Sequence, residues 1–246
     1  MNSRIAQYWD GRAKAYDKNV RPVIYSRRDM AAWQNIFAGA IGERCQKILD
    51  VGTGPGIVAN LLADLGHEVT GIDTSVEMLN RARENTQALN RHLKFIQADV
   101  EDLPFEDSSF DAVVSRYVMW TIPNPTAALE EWHRVLKPGG RLVIVDGKWD
   151  QGRDRTLVGR LWKSLSLALV ILTEHRVPCY KDLEKGLKNN LWSSHARRPR
   201  ADVEMLESLG FRHIHIDEDL DSRLMLTLDY LKYGYCGLQF MVVGVK

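Results

Sequence analysis

Short apolar runs alternate with helical segments through the middle of the chain, and this alternation constrains the fold more than any other feature. The runs have the size of buried strands and lie at residues 47–51, 68–73, 93–98, 110–115 and 141–146. The segments between them predict helices at residues 57–65, 74–89 and 124–136. Strands and helices that alternate at this spacing form parallel crossover units, and helices cover both faces of such a sheet. The pattern therefore predicts an α/β protein with a doubly wound, mostly parallel sheet.

The flanking segments extend this prediction. Residues 1–42 show helical spacing of apolar side chains, and residues 149–200 are helical and basic with no strand pattern. Two further runs, at residues 211–217 and 238–245, bring the predicted sheet to seven strands. We interpret residues 149–200 as a helical insertion before strand six of a Rossmann-like sheet.

Net charge and hydrophobic content each exclude one class of protein. Lys and Arg number 33 against 32 Asp and Glu, so the net charge is +1 and there is no general basic field for nucleic acid. Hydrophobic residues make up 45% of the chain, which excludes an intrinsically disordered protein. We expect no nucleic-acid partner.

The cysteines and apolar runs bear on the compartment. The three cysteines, Cys45, Cys179 and Cys236, lack metal-ligand spacing, so we expect free thiols and no metal site. Residues 1–17 hold no apolar core of a signal peptide, and the longest apolar run, at residues 165–172, is too short to span a membrane. We therefore expect a cytoplasmic protein without stable membrane insertion.

A glycine-rich loop follows the first predicted strand, in the segment ILDVGTGPGIVA at residues 48–59. Ligands of doubly wound sheets bind at the carboxyl ends of the strands, where glycine lets them approach the backbone. Gly52, Gly54 and Gly56 follow the pattern G-x-G-x-G, whereas a dinucleotide site needs G-x-G-x-x-G and here Ile57 takes the last position. A nicotinamide-dependent dehydrogenase is therefore disfavoured, and for the loop alone a tight turn without a ligand stays open.

Acidic residues end the next two predicted strands. Asp73 lies about twenty residues after Asp50, where a carboxylate accepts hydrogen bonds from ribose hydroxyls. Asp99 ends the third strand, where it could accept a hydrogen bond from an adenine amine. Either acid alone could be a helix cap, but three acids at consecutive strand ends beside a glycine loop favour a nucleoside ligand.

Four segments together carry a resemblance to a known family: ILDVGTGPG (48–56), GIDTS (71–75), IQADVEDLPFEDSSFDAVVS (96–115) and RVLKPGGRLVIVDG (134–147). With them the chain resembles class I S-adenosylmethionine-dependent methyltransferases of the small-molecule type, the methyltransferase domain 11 kind. The resemblance implies S-adenosyl-L-methionine as cofactor and a single domain over residues 1–246. Its parts would be an N-terminal helical lid (1–42), a cofactor-binding core (43–148), a helical cap (149–200) and the end of the sheet (201–246).

The resemblance also implies a set of cofactor-binding residues. Those expected around the methionine part are Asp50, Gly52, Thr53, Gly54 and Gly56. Those expected around the adenosine are Asp73, Thr74, Met78, Asp99 and Val100, with Ser115, Arg116 and Tyr117 near the methionine and methyl group. Tyr8, Trp9 and Tyr16 would belong to a lid over the cofactor; the alternative is that they only pack a helix on the sheet.

Methyl transfer from a sulfonium is an in-line displacement that needs positioning more than a universal catalytic residue. A general base is required only if the acceptor must lose a proton first. The catalytic candidates are Arg116, Tyr117, His175 and His195. The basic tract at residues 194–200 could bind an anionic acceptor or be a solvated loop, and residues 157–172 could form a buried cap or an apolar surface.

The acceptor is expected to be a small molecule, and the chain a monomer or homodimer. Quinone-biosynthesis methyltransferases share the central motifs but differ in the segment after strand four, so a quinone acceptor is not predicted. Arsenite methylation is disfavoured because Cys45 precedes the first strand. The alternative function is a regulatory protein that binds S-adenosylmethionine without turnover.

Overall fold

A computed structural model of the chain describes residues 2–24, 27–42, 44–147, 157–174, 191–224 and 239–246. Its strands are β1 (Lys47–Val51), β2 (Glu68–Asp73), β3 (Lys94–Gln97), β4 (Phe110–Arg116), β5 (Leu136–Gly147), β6 (Arg212–Asp217) and β7 (Gln239–Val245). They form one seven-stranded sheet in the order β3-β2-β1-β4-β5-β7-β6. The first five strands pair in parallel, and β7 is antiparallel to both of its neighbours. The predicted α/β, mostly parallel, doubly wound architecture is confirmed.

The described helices follow the sequence prediction closely in the core. They are α1 (Asn2–Asp10), α2 (Ala13–Ile24), α3 (Arg27–Ile41), α4 (Ile57–Asp64), α5 (Val76–Ala88), α6 (Pro125–Val135), α7 (Leu157–Glu174), α8 (Arg200–Ser208) and α9 (Leu220–Leu224). Two single 3-10 turns, Met119–Thr121 and Trp192–Ser194, follow β4 and precede α8.

Alternating strand residues divide the core between the two faces of the sheet. On β5, Val143 and Val145 pack with side chains of α3 and α4, whereas Leu142 and Ile144 pack on the other face with α6. This alternation follows from the pleat, which points successive side chains to opposite faces. Both faces are consequently closed by helices, and the carboxyl ends of the parallel strands are left as the place for a site.

The sequence predicts Thr74 as the cap of the helix that follows β2, and the observed cap of α5 lies one residue later. Ser75, not Thr74, is the N-cap, because its Oγ accepts a hydrogen bond from the Met78 N–H at 3.1 Å. The Asp73 carboxylate accepts the Ser75 N–H at 2.9 Å, so residues 73–75 form a tight side-chain turn before the helix. That turn places the first helical residue at Val76.

The start of β5 also differs from the prediction. The helix before it ends at Val135 and the strand begins at once at Leu136, although the sequence predicted a strand only from residue 141. Leu136 pairs with Phe110, and the register shifts before the pairing resumes at Arg141. The turn-forming residues between Leu136 and Arg141 include Gly139, at a φ of +77°. They form an irregularity within the strand and do not precede it.

Helix α7 lies within the segment interpreted as a cap. Ser166 and Val170 are buried, whereas five large apolar side chains of the helix are more than half exposed: Leu157, Val158, Leu161, Leu165 and Leu172. Over the part of the chain that the structure describes, no helix combines the length and apolar character that crossing a membrane requires.

Candidate active site

A cleft of about 670 Å³ opens at the carboxyl ends of β1, β2 and β4, below the N-terminal helices. It is lined by Ile5, Trp9, Tyr16, Gly52, Gly54, Asp73, Thr74, Met78, Asp99, Val100, Glu101, Arg116, Tyr117, Val118, Thr121, Ile122 and Pro123. A second cavity of about 300 Å³ lies beside the glycine loop. Its lining is Tyr16, Asp50, Gly52, Thr53, Gly54, Pro55, Ile57, Val58 and Arg116. Most of the residues that the resemblance implied therefore line one of two cavities, which share Tyr16, Gly52, Gly54 and Arg116.

The glycine loop takes a conformation that side chains at two positions would prevent. Gly52 has a φ of +65°, and a Cβ there would lie 2.3 Å from Cγ2 of Val118. Gly56, at a φ of +79°, would place a Cβ 3.0 Å from the Cβ of Ala82 in α5. Gly52 thus opens the cleft floor, while Gly56 serves the packing of the helices and does not line either cavity.

Asp73 ties the glycine loop to the end of β2. Its two carboxylate oxygens accept the backbone N–H groups of Gly54 and Ser75, each at 2.9 Å. Burial raises the pKa of Asp73 to about 6, and the two backbone hydrogen bonds oppose that rise. The carboxylate faces the cleft and retains lone pairs for hydroxyl donors such as those of ribose.

Asp50 lies beneath the loop and is almost completely buried. It accepts a hydrogen bond from the Thr53 hydroxyl at 2.6 Å. Burial raises the pKa of Asp50 to about 7, against the effect of that hydrogen bond. Asp50 is therefore a proton-sensitive group next to the second cavity.

The far end of the cleft is formed by Thr74, Met78, Asp99, Val100 and Glu101. Asp99 accepts the Glu101 N–H at 3.0 Å, which fixes the turn after β3. An apolar wall with a carboxylate at its edge suits a planar base with an exocyclic amine.

Arg116 ends β4 and Tyr117 follows it, and both line the cleft. Tyr117 has a φ of +60°, and its N–H donates to the Val145 carbonyl at 2.8 Å. Its hydroxyl is hydrogen-bonded to Gln239, and burial raises the pKa of Tyr117 to about 12. This phenol therefore stays protonated at neutral pH.

The N-terminal helices form the roof of the cleft. Ile5, Trp9 and Tyr16 line it, and the ring of Trp9 makes edge contacts with Tyr16 at 5.6 Å and Trp120 at 6.3 Å between centroids. Tyr8 makes an edge contact with Trp9 and is hydrogen-bonded to Arg12, but it is absent from the lining. Trp9 and Tyr16 therefore lie above the cleft, in the position that the sequence predicted for a lid.

Several other candidates lie away from the cleft or outside the described residues. Ser115 is completely buried, and its hydroxyl has no hydrogen-bond partner. His195 is exposed and lines neither cavity, and His175 lies outside the described residues. The roles proposed for Tyr8, Gly56, Ser115, His175 and His195 stay predictions.

The basic tract at residues 194–200 contains one buried cation. Arg198 binds Asp146 at 2.7 Å and Asp202 at 2.5 Å, and Asp146 also accepts the Trp120 N–H at 3.1 Å. Arg198 therefore binds carboxylates of its own chain. The network joins the end of β5 to the 3-10 turn after β4, which positions one wall of the cleft.

Sequence reasoning did not single out six of the lining residues: Ile5, Glu101, Val118, Thr121, Ile122 and Pro123. Four of them belong to the segment directly after β4, and the only available signal was that they follow a strand end in a doubly wound sheet. Which of them face the ligand depends on the 3-10 turn at Met119–Thr121, which has no strong sequence signature.

Residues 49–144 match the family model of the methyltransferase domain. The match covers the central part of the chain, from β1 to β5. Curated relatives of this domain include the demethylmenaquinone methyltransferase of Renibacterium salmoninarum, 34% identical over 58% of this chain and 58% of that protein. The ubiquinone/menaquinone biosynthesis C-methyltransferase of Coxiella burnetii is 42% identical over 41% of this chain and 42% of its own length. The chain thus spans about half the length of the curated relatives it matches.

Solved structures share the fold of the methyltransferase domain. A protein of Pyrococcus horikoshii superposes with a TM-score of 0.62 at 20% identity, covering 94% of this chain and 98% of the other. A SAM-dependent methyltransferase of Aquifex aeolicus gives 0.60 at 18% identity, covering 96% and 97%. These likenesses extend over the N-terminal helices and the end of the sheet as well as the core.

The cleft has features that fit S-adenosylmethionine, the cofactor that the resemblance implied. Gly52 leaves open the space that a Cβ would take, Asp73 offers acceptors for ribose hydroxyls, and Asp99 lies beside an apolar wall for adenine. The fit rests on geometry at three places along the cleft, so a smaller ligand without a nucleoside would leave these features unused.

Proposed function

We propose that the protein is an S-adenosylmethionine-dependent methyltransferase that acts on a small molecule. The observation that carries this proposal is the position of Asp73, which fixes the glycine loop through Gly54 and presents its carboxylate to the same cleft as Asp99. Two acids at neighbouring strand ends beside an open glycine loop match the hydrogen-bonding groups of an adenosine.

In this proposal the residues of the cleft bind and orient the cofactor and the acceptor, and they exclude water. When bound, S-adenosylmethionine supplies an electrophilic methyl group with a neutral thioether as leaving group. Trp9 and Tyr16 close the roof above the glycine loop, which removes water from the space where an acceptor approaches. Their aromatic faces also attract a positively charged ligand.

The protonation states of the cleft limit the kind of acceptor. Burial raises the pKa of both Tyr16 and Tyr117, so both phenols stay protonated at neutral pH and neither can act as a base. No histidine lines the cleft within the described part of the chain. We therefore propose an acceptor that is nucleophilic near neutral pH without a strong protein base, such as an ionised phenol, an enol or a thiol.

The acceptor side of the cleft is apolar, with Ile5, Trp9, Val118 and Ile122 among its lining residues. This lining favours a molecule with an apolar or aromatic body. Some curated relatives are named for methylation of menaquinone and ubiquinone precursors. A soluble demethylated naphthoquinol therefore belongs in the first set of acceptors to be tested.

The test uses S-adenosylmethionine with a deuterated methyl group, a metabolite extract and the naphthoquinol, followed by mass spectrometry. The proposal predicts a product that carries the intact labelled methyl group with wild-type protein and is strongly reduced with Asp73→Ala. Asp111→Ala is the matched control, because Asp111 pairs with Lys137 outside the cleft. Binding of the cofactor without any labelled product would overturn the proposal.

A further inference from the structure

Helix α7 presents an apolar stripe to solvent. Four of its leucines recur at intervals of four, four and seven residues, which places them on one face of the helix. The apolar stripe consists of Leu157, Leu161, Leu165 and Leu172. All four side chains are more than half exposed, and so is Val158 at the edge of the stripe. A single exposed leucine is ordinary, but a continuous row along one helix indicates a surface that a partner covers.

A different face of α7 packs within the protein. Ser166 and Val170 are one turn apart and are buried, and Trp162, one turn before them, is partly buried. The middle of this row lies roughly 135° around the helix from the middle of the apolar stripe, because each residue turns the helix by about 100°. The stripe is therefore separate from the face through which α7 packs.

Basic residues are concentrated around the first half of the same helix. Residues 153–163, which we call the basic segment, contain four cations and one acid: Arg153, Arg155, Arg160 and Lys163 against Asp154. The basic segment has a net charge of +3, whereas the whole chain has a net charge of +1. Arg160 is exposed and follows Leu157 by three residues, so it lies beside the apolar stripe. The stripe and the positive charge therefore form one surface.

The combination of an apolar stripe and cations matches a membrane surface with anionic lipids. Leucine side chains enter the boundary between headgroups and acyl chains, while arginine and lysine reach the phosphates. A second copy of the chain matches the charge less well, because Glu174 is the one acidic residue that its α7 offers to the four cations. Charge complementarity thus favours the lipid surface over a dimer.

We propose that α7 binds the surface of a membrane that contains anionic lipids, through the apolar stripe and the basic segment. The stripe runs along the helix axis, so the helix lies in the plane of the surface. This binding requires neither cofactor nor acceptor and is independent of the proposed function. A protein bound in this way lies next to the apolar molecules that dissolve in a bilayer, the class of acceptor that the cleft lining favours.

The test measures co-sedimentation of the full chain with two kinds of vesicle. One kind contains phosphatidylcholine alone, and the other contains equal parts of phosphatidylcholine and phosphatidylglycerol. We expect partitioning into the anionic vesicles to be about tenfold stronger or more, and to weaken as salt is added. The double variant Leu161→Ser/Leu165→Ser should weaken it about tenfold or more, and Arg160→Gln about fivefold at low salt.

Matched controls remove exposed side chains elsewhere. Leu89→Ser changes an exposed leucine after α5, and Arg212→Gln changes an exposed cation of β6. Both should bind vesicles like wild type, and the thermal midpoint of each variant reports folding. If the double variant does not fold, the lipid and salt dependence of wild type and Arg160→Gln still decide the proposal.

Three results would overturn the proposal. They are no vesicle binding by wild type, equal binding to neutral and anionic vesicles, and undiminished binding by the folded double variant. A dimer that dissociates in the double variant, without vesicle binding by wild type, would assign the apolar stripe to a second copy instead.

Discussion

The carboxylate of Asp10, at the end of α1, accepts a hydrogen bond from the hydroxyl of Ser75 at 2.6 Å, at the N-terminus of α5. The same oxygen accepts the Glu77 N–H at 3.2 Å, so an acid of the roof completes the cap of a core helix. A second contact follows further along the roof, where the buried carboxylate of Asp17 accepts from Asn85 at 2.8 Å. The helices above the cleft are therefore docked on α5 through two acids.

The first prediction concerns this docking. Asp10→Ala removes the hydrogen bonds to Ser75 and Glu77, so the roof should open more often and S-adenosylhomocysteine should bind about 3- to 30-fold more weakly. Hydrogen exchange should rise in residues 2–24 and stay unchanged in the strands. Glu77→Ala is the control, because it keeps the backbone donor and removes an exposed acid from the same helix turn. Unchanged exchange in the roof would show that Asp10 does not hold it.

The second prediction is a pH dependence of cofactor binding. Ribose hydroxyls donate to the ionised form of Asp73, and burial raises its pKa to about 6. Affinity for S-adenosylhomocysteine should therefore fall as the pH is lowered from 7.5 to 5, approaching about tenfold per pH unit below the pKa. Asp73→Asn should bind more weakly and lose this dependence, whereas Asp111→Asn should keep it. A wild-type profile that is flat between pH 5 and 7.5 would contradict this role for Asp73.

The third prediction separates backbone strain from steric closure at the glycine loop. Gly52→Ala should cost roughly 1–2 kcal/mol from its left-handed backbone and more from the Cβ at 2.3 Å from Val118. Gly139→Ala has a comparable φ of +77° with no atom within 4 Å of the new Cβ, so it should show the backbone cost alone. Adding Val118→Ala to Gly52→Ala should recover part of the extra loss in urea denaturation. Equal destabilisation by the two single variants would refute the steric role.

The fourth prediction concerns stability and Asp50. Its pKa of about 7 in the folded protein exceeds the ordinary value of 3.8, so between these values the native state binds more protons than the unfolded state. The stabilisation of the folded protein by Asp50 is greatest when the pH is below the ordinary pKa of 3.8, and it is lost as the pH rises through about 7. Between pH 5 and pH 7.5, the free energy of unfolding of wild type should therefore fall by about 2–3 kcal/mol relative to that of Asp50→Asn. Parallel stability profiles would argue against a protonated, buried Asp50.

The sequence was most informative where local pattern and burial agree. Strand β1 has the predicted bounds because Ile48, Leu49 and Val51 form a continuous buried run closed by glycine. Asp73 and Asp99 could be placed at one edge because parallel strands bring their carboxyl ends together. These features depend on neighbours in the chain or on a general property of parallel sheets.

Features that depend on distant partners could not be predicted in the same way. Ser75 caps α5 and also donates to Asp10, which no local pattern specifies. Arg198 looked like part of a solvated or acceptor-binding tract, but Asp146, 52 positions away, binds it in the interior. The pairing of Arg116 with Trp33 likewise joins a strand end to an N-terminal helix. In each case the contact exists only once the helices are packed on the sheet.

The central claim is that the cleft between the glycine loop and Asp99 binds S-adenosylmethionine. Calorimetric titration of the wild-type protein with S-adenosylhomocysteine and, separately, with NADH tests it most directly. We predict binding of one S-adenosylhomocysteine per chain, weakened by Asp73→Ala by about 1–3 kcal/mol, and no saturable binding of NADH. Saturable binding of NADH together with no binding of S-adenosylhomocysteine would contradict the claim.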